Sequence, residues 1–176
     1  MTVLIAFATI EGQTEKIARF AETEIRTAGH DVTLFDLSDE TTSVSLDGVD
    51  LVILAGPVHE RRHPEDFEVF LAGRRHDLEK RRTLLLSVSL SAAFPESLDE
   101  ANAYVEELEM RTGFTPDATA LVAGAVRAGS YDYFQSQVVR HVVLRGHDYD
   151  PAEGEHEFTN WAALSSKIAD FMNAGT

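Results

Sequence analysis

Six residues near the amino terminus, Thr9-Ile10-Glu11-Gly12-Gln13-Thr14, have the makings of an anion cradle. A glycine lets the backbone approach an anion closely. Hydroxyls at Thr9 and Thr14 can donate to phosphate oxygens, and the amides of Gly12, Gln13 and Thr14 would point the same way. The segment follows a continuous apolar run and opens a helical pattern. That is where a doubly wound sheet presents a helix amino terminus to phosphate. The plainer alternative is a strand–helix turn in which Thr14 serves as an ordinary cap. Other phosphate motifs do not fit. The turn lacks the Gly-Lys-Ser/Thr ending of a nucleoside-triphosphate loop and the spaced glycines of a dinucleotide site. A phospho-receiver would need paired acidic residues after the first strand, and only Glu11 is there.

Few other residues form a chemical constellation. There is no cysteine, which excludes disulfides, thiolate nucleophiles and cysteine-held iron–sulfur clusters. Of the seven histidines, His59 and His63 are closely spaced but fall in a predicted turn, and no carboxylate group completes a metal set, so no metal is expected. Either histidine could tune a bound group or move a proton, or simply be a solvated loop residue. Trp161 falls on an apolar stripe and is expected to anchor the core. Arg74 and Arg75 suit a helix carboxyl end. With Lys80, Arg81 and Arg82 they could also form a patch for an acidic partner. No Ser/His/Asp order suggests a hydrolase.

The elements that must position the cradle alternate between strand and helix patterns, as in parallel βαβ units. Strands are expected at Val3–Ala8, Asp31–Asp36, Asp50–Ala55, Thr83–Val88 and about Ala118–Val126. The continuous apolar run of the first, Val3–Ala8, fits a sheet covered on both faces. Helices are expected from about Thr14 to Ala28, stopped by Gly29, and after Pro64, with Phe67, Phe70 and Leu71 inward. A further helix follows a Ser97/Glu100 capping box, and the last begins near Thr159. Between Arg127 and Phe158 the chain makes an excursion longer than a plain doubly wound domain needs. There Tyr131–Arg145 has a helical pattern with a broad apolar face. Such excursions tend to be functional; a packing ornament over the sheet edge is the alternative.

The net charge is -15, from 30 acidic and 15 basic residues. Such a surface repels nucleic acid and anionic lipid, so no nucleic-acid partner is expected. Only three residues are lysine, a composition that suits either a salt-loving cytoplasm or an ordinary acidic bacterial protein. No apolar run reaches the roughly 20 residues of a membrane span, and the first residues form a strand pattern, not a signal peptide. Cytoplasmic residence is expected.

The Thr-x-x-Gly-Gln-Thr turn after a first strand resembles the FMN phosphate loop of flavodoxins. An acidic residue before Gly-Gln-Thr resembles one branch, the quinone-linked protoporphyrinogen IX dehydrogenases of haem biosynthesis. The likeness continues through Leu121–Arg127, the aromatic stretch Tyr131–Phe134, and Glu157-Phe158-Thr159-Asn160-Trp161. It implies an α/β fold: a flavodoxin-like five-stranded parallel sheet of order 2-1-3-4-5. One domain would span residues 1–176, with an insertion at about 127–157. It implies FMN held by three loops. Thr9, Ile10, Glu11, Gly12, Gln13 and Thr14 would bind the phosphate. Gly56, Pro57, Val58, His59, Glu60 and Arg61 would line one face of the ring. Ser87, Val88, Ser89, Leu90, Ser91 and Ala92 would approach the ribityl chain and the other face. It further implies a tetrapyrrole-like substrate and a quinone or other electron acceptor. For that substrate Arg61 and Arg62 could receive carboxylates, while Tyr131 and Phe134 form an apolar wall. The helix at Tyr131–Arg145 would cover the acceptor side of the flavin or contact a membrane periphery or a second subunit, as in a homodimer. Two readings of the same fold stay open: a flavodoxin-type electron carrier and an NAD(P)H:quinone reductase. The chain departs from the family's basic members in its acidity, and its second loop lacks the aromatic residues that often stack on flavin.

Overall fold

Side chains alternate across a strand, so a strand that is apolar at every position must be covered on both faces. The computed structural model, which describes residues 1–126 and 156–174, builds that arrangement. The elements are β1 (Thr2–Phe7), α1 (Gln13–Thr27), β2 (Asp31–Asp36), β3 (Leu51–Pro57), α2 (Glu65–Gly73) and α3 (Arg75–Leu78). They continue with β4 (Arg82–Ser89), α4 (Leu98–Thr112), β5 (Ala118–Ala123), β6 (Ala125–Val126), β7 (His156–Glu157) and α5 (Trp161–Asn173). The sheet runs β2-β1-β3-β4-β5, with every neighbouring pair parallel. This is the expected 2-1-3-4-5 order of a flavodoxin-like fold.

Alternation sorts the core into two layers. Val3, Ile5, Phe7, Ile53, Leu84 and Leu86 meet Ile17, Ala21 and Ile25 of α1 and Leu164, Ile168 and Phe171 of α5. Leu4, Ala6, Val52, Leu54 and Leu85 meet Phe67 and Leu71 of α2 and Val105 and Leu108 of α4. Trp161 packs against Phe20, with ring centroids 4.9 Å apart, so it is the anchor its stripe predicts.

Several local expectations are corrected. Ser97 and Glu100 form no capping box: α4 has no side-chain cap, and the Ser97 hydroxyl donates instead to Ser91 O at 2.7 Å. Thr14 is not a cap either, since Gly12 occupies the N-cap position of α1. The fifth strand stops at Ala123 rather than running to Val126. After Gly124 the chain turns to pair antiparallel with His156–Glu157. Arg74 is not simply a helix-end charge, and Arg81 is not simply part of a surface patch. Arg74 donates to Val44 O at 3.0 Å, and Arg81 to Leu46 O at 2.6 Å and Val49 O at 3.2 Å, so both clamp the β2–β3 connection. The predicted helix at Tyr131–Arg145, with Tyr131 and Phe134, lies outside the described residues. Among the described residues no helix is long and apolar enough to cross a membrane.

Gly56, near the carboxyl end of β3, shows how tightly this edge is packed. A Cβ placed there would lie 2.7 Å from the Phe67 ring, and Phe67 is wholly buried. Gly56→Ala is therefore expected to destabilise the fold by roughly 1–3 kcal/mol through overpacking. Thermal unfolding would show this as a Tm lower by several degrees, and an unchanged Tm would mean the ring has room to move.

Candidate functional site

The carboxyl ends of β1, β3 and β4 open onto three loops on one edge of the sheet, at the point where strand order reverses. In open α/β sheets that crevice is where ligands bind.

The first loop joins β1 to α1. Gly12 sits at φ 95°, ψ -11°, a left-handed conformation that side chains with a Cβ rarely adopt. This puts the chain into α1 without a side-chain cap. The Gly12 amide is already engaged: it donates to Thr9 Oγ1 at 3.0 Å. The leading amides of an α-helix have no partner within the helix and carry the positive end of its dipole, and those of α1 begin at Gln13. Thr14 is buried beneath the loop, whereas Ile10 projects outward, half exposed.

The second loop follows β3. Val58 N donates to Val88 O at 2.7 Å, which extends the sheet by one residue. His59 and Arg62 then pair through His59 N to Arg62 O at 2.9 Å and Arg62 N to His59 O at 3.2 Å. Between them, Glu60 at φ 49° and Arg61 at φ 68° form a two-residue turn, both left-handed. Asn and Gly normally take those positions, so the turn stores strain at the mouth of the site. Its side chains are anchored outward. Arg62 makes a two-pronged contact with Glu68 of α2, at 3.0 and 2.7 Å, and Arg111 of α4 approaches the same carboxylate at 3.6 Å. Arg61 faces Glu100 of α4 at 3.5 Å and is largely exposed.

His63 ends this loop and is 2% exposed. Its Nε2 lies 2.9 Å from Ser87 Oγ, and its ring stacks on Phe67 at 5.9 Å. Nδ1 is buried without a partner among the described residues. Burial pushes its pKa down to about 4; Glu68 opposes the shift and Arg111 adds to it. The imidazole is therefore neutral at physiological pH.

The third loop begins later than the sequence suggests, because β4 runs through Ser89. Ser87, Val88 and Ser89 are buried in the strand, and only Leu90, Ser91 and Ala92 reach the loop. Ser89 Oγ accepts the Ala92 amide at 3.2 Å. The Ser91 hydroxyl donates to Glu100, the residue that also faces Arg61, so one carboxylate links the second and third loops.

Ile10 of the first loop and His59, Glu60, Arg62, His63, Pro64 and Glu65 of the second border an open cleft of about 510 Å³. The structure thus brings Ile10 of the first loop together with His59, Glu60 and Arg62 of the second. It sets Ser87–Ser89 into the sheet beside them.

Sequence reasoning missed one group. Glu157, on β7, accepts from Gln13 Nε2 at 3.1 Å, Lys16 Nζ at 2.5 Å and Trp161 Nε1 at 2.7 Å. Gln13 also donates to Thr159 Oγ1 at 3.0 Å, and that hydroxyl donates to Ala123 O at 2.6 Å. Partial burial opposes ionisation of Glu157. The hydrogen bonds from Lys16, Trp161 and Gln13 outweigh it and hold the carboxyl below its usual range. Gln13 and Lys16 lie too far away in sequence to leave a local signal at Glu157.

The chain matches a family model described as Flavodoxin domain over residues 4–151. It is 22% identical to the Escherichia coli (strain K12) protein named protoporphyrinogen IX dehydrogenase [quinone], over 94% of this chain and 92% of that protein. Among solved structures it resembles a short-chain flavodoxin associated with a non-canonical PDU bacterial microcompartment. The TM-score is 0.60 at 12% identity, covering 100% of this chain and 99% of that one. It also resembles a Fusobacterium nucleatum flavodoxin bound to flavin mononucleotide. There the TM-score is 0.52 at 14% identity, covering 98% and 95% of the two chains. At these identities the structural likenesses establish the fold.

Proposed function

The chain belongs to the flavodoxin domain family, and on that ground we propose that it is an FMN-dependent dehydrogenase that oxidises protoporphyrinogen IX and passes the electrons to a quinone-type acceptor. The observation that carries the substrate is the correspondence with the E. coli dehydrogenase, which runs over 94% of this chain. The head of α1 suits the cofactor: it has no side-chain cap and is fronted by a left-handed glycine, which favours close approach of a phosphate to the helix-head amides.

FMN, when bound, supplies the acceptor for hydride equivalents and their onward transfer as electrons. The chain's own part is to bind, orient and select. The Thr9–Thr14 loop takes the phosphate, with Gln13 and Thr14 contributing helix-head amides. Gly56–Arg61 borders one side of the ring. Leu90, Ser91 and Ala92 approach the other, with Ser87–Ser89 as their buried support.

The two arginines divide their work. Arg62 has its guanidinium fork filled by Glu68, so it holds the loop to α2. Arg61 has a looser partner at 3.5 Å and more solvent, so it is the one free to turn to a substrate carboxylate. Anaerobic preparation of protoporphyrinogen, followed by the rise of porphyrin fluorescence with a quinone present, tests this directly. Wild-type protein should form porphyrin. Arg61→Ala should raise KM roughly tenfold, the scale of a charge-assisted hydrogen bond, with FMN content unchanged. Wild-type KM in that variant would remove Arg61 from the site, and no porphyrin from the wild type would remove the substrate.

A second reading, an electron carrier with no small-molecule substrate, is favoured by the net charge of -15, which suits docking on a basic redox partner.

A further inference from the structure

Glu157 stands out because the flavin reading gives it no task. It belongs to β7, far along the chain from the loop at the head of α1, yet its carboxylate holds two residues of that loop's helix. Gln13 is the first residue of α1, and Lys16 lies in its first turn, where its amide donates to Gly12 O at 3.1 Å. Helical side chains lean toward the amino terminus, so a Lys16 ammonium released from Glu157 would swing toward the end of the helix where an anion would sit. One oxygen of Glu157 accepts from both Lys16 and Gln13. Its other oxygen accepts from the Trp161 indole, and Lys16 Nζ lies 5.4 Å from the centre of the Trp161 ring. A carboxylate is thus held by hydrogen bonds from three sides, beside the place where a phosphate is to bind.

We propose that Glu157 is a positioning residue that sets how strongly the site distinguishes phosphorylated from unphosphorylated flavin, by neutralising Lys16 and drawing it away from the head of α1. The proposal rests on the FMN reading given above. One pairing governs the effect: the carboxylate occupies the ammonium that could otherwise pair with phosphate. Replacing the carboxylate by its neutral isostere leaves one oxygen, which can keep Trp161 or Gln13 but not both, and removes the charge that holds the ammonium. The phosphate then gains a charge-assisted partner, while the flavin ring and ribityl chain gain nothing.

The test titrates full-length apoprotein with FMN and with riboflavin, in wild type, Glu157→Gln, Lys16→Met and the double variant. Glu157→Gln is expected to tighten FMN about tenfold, the scale of one charge-assisted bond, and to leave riboflavin affinity unchanged. Adding Lys16→Met should cancel that gain, whereas Lys16→Met alone should change FMN affinity little, because Glu157 already neutralises the ammonium. An equal change for both ligands in Glu157→Gln would make the residue merely structural and overturn the proposal. So would an unchanged ratio of the two affinities, or a gain that survives the loss of Lys16. Wild type that binds FMN no better than riboflavin would instead overturn the phosphate-loop reading, and the proposal with it.

Discussion

Gly12→Val is expected to abolish FMN retention while leaving the domain folded. The position has φ 95°, where a β-branched residue is a genuine outlier. Forcing it there costs roughly 1–2 kcal/mol in the fold. The larger effect falls on the ligand. The new side chain stands where the backbone must come close to phosphate, and the altered turn would misdirect the amides at the head of α1. Losing such a set of charge-assisted bonds weakens binding by a few kcal/mol, on the order of 100-fold or more. Gly12→Ala should fall between the two. Titration of apoprotein with FMN measures the affinities, and a thermal melt confirms folding. Wild-type affinity in Gly12→Val would show that the phosphate lies elsewhere.

The second large effect concerns acid. His63 has a folded pKa of about 4 against an ordinary 6.5, so the unfolded chain takes up a proton that the folded chain refuses. Stability contributed by the neutral imidazole is fully present above pH 6.5. It is lost as pH falls toward 4, because there the unfolded state binds more protons. The loss approaches about 3 kcal/mol, at 1.36 kcal/mol for each pH unit between the two values. The groups that face the ring are Ser87, Glu68 and Arg111, and the last two oppose each other. Urea unfolding from pH 7.5 to pH 4 should therefore show a component present in wild type and missing from His63→Gln, whose amide can still reach Ser87. Comparing the two proteins cancels the carboxylates that titrate in both. Parallel curves would show that the imidazole is charged inside the fold or is not buried in solution.

Much of the architecture was legible because its causes are local. β2, an edge strand, has the predicted limits, Asp31–Asp36, and β1, β3 and β4 lie within a residue or two of theirs, since burial on both faces of the central strands leaves an unbroken apolar run. The turn at Thr9–Thr14 was legible for the same reason: a glycine between a strand and a helix has few uses. What the sequence hid depends on neighbours brought in by the fold. Ser97 and Glu100 have the spacing of a capping box, yet the hydroxyl finds Ser91 O and the carboxylate faces Arg61. The break after Ala123 depends on pairing with His156–Glu157, about thirty residues onward. Arg62 looked available for substrate, and it is Glu68 that claims it. Glu157 was legible only as part of a family-like segment, with no role, because its donors Gln13 and Lys16 come from α1, far away in sequence.

The most direct measurement mixes the FMN-loaded protein anaerobically with stoichiometric protoporphyrinogen IX and follows the flavin absorbance. A protoporphyrinogen dehydrogenase should bleach at once, then recover its colour and release porphyrin only when excess quinone is added, because one flavin cannot take all the electrons that porphyrin formation gives up. A flavin that stays oxidised with protoporphyrinogen but bleaches with NAD(P)H, or with a ferredoxin-type reductase, would contradict that function and make the protein a quinone reductase or an electron carrier instead.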